Sequence, residues 1–127
     1  MERSVEILAV VLLGVIGLSH VLQPRAWADF FIFIRGKREV AAFIDGFLHL
    51  PVAALIIGFH NVWSGIPAIL TLLGWALLIK SILRFCLPAH GLRMMAHVSV
   101  ERAWEFQVAG AGLLFLAGLL GYGVYAG

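Results

Sequence analysis

Charge is the scarcest commodity in this chain. Only 13% of its 127 residues are Asp, Glu, Lys or Arg, against 62% hydrophobic; soluble domains carry about 25% charge. So much apolar side chain cannot be buried in a water-soluble globule this small, and disorder needs the opposite balance. Cys86 is the sole cysteine, which excludes an intrachain disulfide, a CxxC redox pair and a thiolate metal cluster. Nothing alternates with a period of two, and a transmembrane barrel needs more strands than this length supplies. Basic residues are not massed: nine Lys and Arg against seven Asp and Glu leave a net charge of +2, no footprint for nucleic acid. No Ser-His-Asp order and no glycine-rich phosphate loop appears, so no motif supports an enzyme.

What is present is a set of long apolar runs. Four reach spanning length: Val5–Leu22, Val40–Phe59, Ile66–Leu87 and Ala103–Tyr125. They predict an all-α integral membrane bundle of four transmembrane helices in one domain covering residues 1–127. The first run lacks a basic leader and a small-x-small cleavage site, and is read as a mature helix. Arg25, Arg35, Lys37, Arg38, Lys80, Arg84, Arg93 and Arg102 flank or fill the two long linkers, whereas only Arg3 lies on the other side. The positive-inside rule then predicts both linkers in the cytoplasm and both termini outside. Trp27, Arg35, Lys37, Arg38 and Trp104 serve as anchors at the inner interface, with Trp63, Tyr122 and Tyr125 at the outer one. After Pro24, the residues Trp27, Phe30, Phe31 and Ile34 recur at helical spacing, predicting a short interfacial helix with a basic end. A weaker stripe, Leu92, Met95 and Val98, follows Pro88.

An offset of 64 residues carries Pro24 onto Pro88, Phe31 onto Met95, Ile34 onto Val98 and Arg38 onto Arg102. This predicts two helical hairpins as a parallel repeat, with sites where the halves meet.

Ionisable groups inside a bilayer are expensive unless paired or hydrated, and so are the first functional suspects. Asp45 and His49 are i,i+4 neighbours roughly 8 and 14 Å into the second span. Pro51 frees the carbonyl of Phe47 beside them and predicts a kink. Lys80 with Ser81, Glu105 with Gln107, and His20 with Ser19 bring polar groups from the other spans to the same inner layer. Asp45, His49, Lys80, Glu105 and His20 form the candidate intramembrane polar site, open to the cytoplasm. Its competing reading is structural: a hydrogen-bonded pair that holds two helices together, with Lys80 and Arg84 reaching for headgroups. His20, Asp45, His49 and Glu105 carry nitrogen and oxygen ligands, but no spacing matches a metal signature, so no metal is assigned. The sequence names no cofactor. Thr71 and the rim residues Glu6, His60 and Asn61 are the few polar groups of the outer half. Small-xxx-small pairs at Ala42/Gly46, Ala54/Gly58 and Ala117/Gly121, with Gly110 and Gly112, predict close helix approach within the bundle or to another protein.

The turn His60-Asn61-Val62-Trp63, the run Thr71-Leu72-Leu73-Gly74-Trp75 with Lys80 and Pro88, and Pro24-Arg25-Ala26-Trp27 resemble a family of small uncharacterised bacterial inner-membrane proteins. The resemblance covers about residues 12–88 and implies four helices in a bacterial inner membrane. It brings no reaction and no substrate. Ser81 stands where the family usually has glycine, which removes a close-packing point. In physical terms His60 and Asn61 are expected to cap the second span while Trp63 anchors the turn.

Two functions follow from this reading. One is a non-catalytic accessory or assembly subunit of a larger inner-membrane complex, in contact with lipids and with other subunits or itself. The other is a small oligomeric binding or transport protein for a proton, ion or small polar solute at the inner polar layer.

Overall fold

The computed structural model describes residues 2–126 and is helical throughout, with no strand among the described residues. Its order is α1 (Glu2–Leu22), α2 (Pro24–Arg35), α3 (Glu39–Phe59), α4 (Pro67–Cys86), α5 (Pro88–Met95) and α6 (Trp104–Ala126). The four long helices have 20 to 23 residues, about 30–35 Å at 1.5 Å per residue. They are long and apolar enough to cross a membrane.

Proline sets the boundaries. Pro24, Pro67 and Pro88 each open a helix at its first position, where the missing N–H costs nothing. A proline disfavours helical geometry at the residue before it, although Ile66, before Pro67, keeps it (φ −57°, ψ −41°). Gln23 (φ −129°, ψ 54°) and Leu87 (φ −131°, ψ 66°) break the chain in nearly the same way. Pro51 does not end its helix: α3 runs through it as one element. At the opposite end of the bundle, Gly65 takes φ +70°, the left-handed conformation glycine adopts without strain, and turns the chain into α4.

Each half of the chain therefore runs long helix, short proline-led helix, long helix. The halves do not close as two hairpins, however. The intimate pairs are α1 with α6 and α3 with α4, whereas α1 touches α3, and α4 touches α6, only lightly. Glycine explains the exchange. A methyl group on Gly17 of α1 would lie 2.9 Å from the carbonyl oxygen of Gly110 in α6, and one on Gly110 would lie 2.6 Å from that of Gly17. These two backbones meet face to face, which no larger residue permits. Between α3 and α4, Gly46 lies under the Phe85 ring and Gly74 under Ile56.

A dry core of Val5, Ala9, Ile56, Leu70 and Leu120 joins the two pairs. A second cluster, Ile34, Ala41 and Met95, seats α2 and α5 at one end. The outside is apolar too: Val15, Phe47, Phe115 and Tyr122 are among many large exposed hydrophobics, the pattern of a chain solvated by lipid.

Candidate functional site

Antiparallel packing of α3 on α4 gathers four ionisable groups. Asp45 and His49 occupy one face of α3, and Lys80 and Arg84, also four apart, face them from α4. Arg84 Nε donates to Asp45 Oδ2 at 2.8 Å, and Lys80 Nζ lies 3.7 Å from the same oxygen. His49 Nδ1 is 2.7 Å from the backbone carbonyl of Asp45 and 3.3 Å from its Oδ1. A carbonyl accepts only, so Nδ1 carries the proton, and Nε2 then accepts from Lys80 Nζ at 3.4 Å.

Asp45 and Arg84 are buried. The Lys80 and His49 side chains remain 37% and 27% exposed and form the open edge of the tetrad. Two basic side chains thus face one carboxylate. The α5 helix covers Arg84: a methyl group on Gly91 would come within 2.7 Å of Arg84 Cδ and 3.1 Å of Ala42 Cβ.

Arg84 is not among the expected members of the polar site; only the competing structural reading involves it, with Lys80 and Arg84 both reaching for the headgroups. Its signal was the i,i+4 spacing to Lys80, which puts both cations on the face that meets Asp45.

Two expected members are elsewhere. His20 sits on α1, whose partner is α6; its ring stacks on Trp27 at 4.1 Å and lies 5.7 Å from Phe106, while Nδ1 meets the carbonyl of Ile16 at 2.8 Å. Trp27 in turn donates from Nε1 to Ser19 Oγ at 2.9 Å. Glu105 is exposed on α6, beside a hollow of about 210 Å³ lined with Val98, Arg102, Phe106 and Ala109. Depth alone ranked these residues with Asp45, but helix pairing separates them.

The expected anchors divide similarly. Arg35 is a clamp between the short helices: Nη1 donates to the carbonyls of Met95 at 3.2 Å and Val98 at 2.8 Å, satisfying the frayed end of α5. Lys37 lies 5.4 Å over the Phe33 ring, Arg38 approaches Glu39 at 3.9 Å with both exposed, and Trp104 is exposed.

A second polar cluster lies at the α3–α4 turn. The backbone N–H of His60 continues the helix to Ile56 O at 2.7 Å, but its side chain does not cap α3. It is fully buried, with Nε2 2.9 Å from Glu6 Oε1 of α1 and Nδ1 3.2 Å from Thr71 Oγ1 of α4. Thr71 donates to Val62 O at 2.6 Å and accepts from Val62 N–H at 3.1 Å. His60 therefore pins three elements together. Asn61 is exposed and accepts from Trp63 Nε1 at 3.1 Å.

Among the described residues no three His, Cys, Asp or Glu side chains converge as metal ligands. Compared with protein-family models, curated proteins and solved structures, the chain matches none.

Proposed function

We propose that this chain is a non-catalytic accessory or assembly subunit of a larger complex in a bacterial inner membrane, with α2 and α5 at the cytoplasmic interface and both termini outside. The supporting observation is a division among its glycines. Gly17, Gly46, Gly74, Gly91 and Gly110 each have a close intramolecular neighbour where a side chain would go, whereas Gly14, Gly58, Gly112 and Gly118 have nothing within 4 Å. A glycine inside a helix costs about 1 kcal/mol relative to alanine, and for these four no contact within the chain offsets it. Close approach by a neighbouring helix does. On α6, Ala111, Gly112, Phe115, Gly118 and Tyr122 share one exposed face, which supplies the docking surface of this reading.

The same proposal includes a duplicated ancestry. The 64-residue offset superposes α1, α2 and α3 on α4, α5 and α6, and it exchanges the pair α1·α6 with the pair α4·α3. It also carries buried Ala53 and Ile56 onto buried Ala117 and Leu120. Transport draws less support. His49 of α3 and His60 at its C-terminal cap are 11 residues apart, about 16 Å of rise, and the buried Val5–Ile56–Leu70–Leu120 core occupies that interval.

The test is purification in a gentle detergent with mass spectrometry of co-purifying chains, for the wild type and for Gly112→Leu with Gly118→Leu. A stoichiometric partner lost in the double variant, with helicity and melting unchanged, is expected. A lone homo-oligomer unaffected by the substitutions contradicts the proposal.

A further inference from the structure

The two long-helix pairs close in the same way, yet only one carries a charged cluster. The 64-residue offset places Ile16, His20, Ala109 and Leu113 of the α1·α6 pair at the positions held by Lys80, Arg84, Asp45 and His49 in α4·α3. The first pair closes on glycine backbone contact and two side-chain-to-carbonyl hydrogen bonds, from Arg3 to Val124 and from Gln107 to Val21, with no ion pair between its helices among the described residues. Joining two such helices therefore does not require the tetrad, and burying ions is costly.

Part of the tetrad's hydrogen-bonding capacity is unused. Arg84 donates through Nε alone; its two Nη groups have no protein acceptor among the described residues, which leaves four N–H donors. Lys80 has three N–H donors. One meets His49 Nε2, one faces Asp45 Oδ2, and the third has no partner. On the acceptor side, Asp45 Oδ1 is buried without a hydrogen-bond partner and lies 3.3 Å from His49 Nδ1. The cations outnumber the carboxylate by one, and the surplus is on the open Lys80 edge.

We propose that Lys80 and Arg84 form a site for a phosphate oxyanion, supplied by the headgroup of an anionic phospholipid. Asp45 is the positioning residue that holds the guanidinium by Nε and leaves its Nη edge free for the paired hydrogen bonds that Arg makes to phosphate. Lys80 lies six residues from the end of α4 at Cys86, about 9 Å along the helix, and its Nζ stays beside Asp45 and His49, so the phosphate is drawn to the tetrad at that depth. On the orientation given by the positive charges this is the cytoplasmic leaflet, where anionic lipid gathers. The site does not depend on the subunit reading, and its test uses the isolated chain.

Native mass spectrometry of the purified protein in neutral detergent, with phosphatidylglycerol, phosphatidylcholine or inorganic phosphate added, gives the readout. Retention of one phosphatidylglycerol in preference to phosphatidylcholine is expected, reduced about tenfold in Lys80→Gln and restored in Lys80→Arg, with melting unchanged in both. Equal retention of the two lipids, or undiminished phosphatidylglycerol retention in folded Lys80→Gln, overturns the proposal. Displacement of the lipid by millimolar inorganic phosphate overturns the lipid assignment and leaves a free oxyanion as the occupant.

Discussion

The α1·α6 and α3·α4 pairs are two solutions to one packing problem. In α1·α6 the backbones of Gly17 and Gly110 touch, and the nearby polar groups, His20 and Ser19, engage Trp27 and a local carbonyl. In α3·α4 the glycines Gly46 and Gly74 receive Phe85 and Ile56, while Asp45, His49, Lys80 and Arg84 form a polar seam beside them. In the first pair, backbone contact and dispersion are joined only by two side-chain hydrogen bonds, Arg3 Nη2 to Val124 O at 3.0 Å and Gln107 Nε2 to Val21 O at 3.2 Å, and by no ion pair between the helices among the described residues. The second has the same means of closing and adds charges, so the charges mark where this molecule departs from packing alone.

The largest effect separating the pairs is expected from Asp45→Leu. It leaves Arg84 buried without its counter-ion, a loss of about 3–5 kcal/mol measurable as unfolding in micelles; an unchanged midpoint would mean that the tetrad does not form. Gly110→Leu drives a side chain into the backbone of Gly17 and should cost about 1–3 kcal/mol, with disruption confined to α1·α6 by hydrogen exchange. Disruption at α3·α4 instead would break the distinction between the pairs. The smallest effect belongs to Gly112→Leu, two residues away on the open face of α6, which should shift stability by about 0.5 kcal/mol or less.

Much of the fold was legible because its signals are local. Apolar runs of spanning length place the four long helices to within three residues, the largest difference being α1 from Glu2 rather than Val5, and the breaks at Pro24 and Pro88 mark the starts of α2 and α5, although α5 ends at Met95, short of Val98. Helix pairing was not legible. Every long helix offers small residues, and the contact between Gly17 and Gly110 joins positions that no local pattern relates. The candidate site suffered from the same gap. Asp45, His49 and Lys80 do meet, because their helices are joined by the short turn after His60. His20 and Glu105 share their layer but belong to the other pair. Arg84 was discounted because an arginine near a span end reads as a headgroup ligand, and only the pairing shows its Nε on Asp45. Glu6, His60 and Thr71 were visible as rim polar residues, but their convergence depends on α1 reaching the α3–α4 turn.

The most direct test of the contrast between the pairs replaces Asp45 and Arg84 together, as Asp45→Leu with Arg84→Met, and follows unfolding in micelles. If the seam is not needed for closure, the double variant retains wild-type stability to about 1 kcal/mol although Asp45→Leu alone does not, since a buried ion pair exchanged for apolar groups is often neutral. If the double variant unfolds as readily as the single one, the charged seam itself holds α3 to α4, and the contrast between the two pairs is wrong.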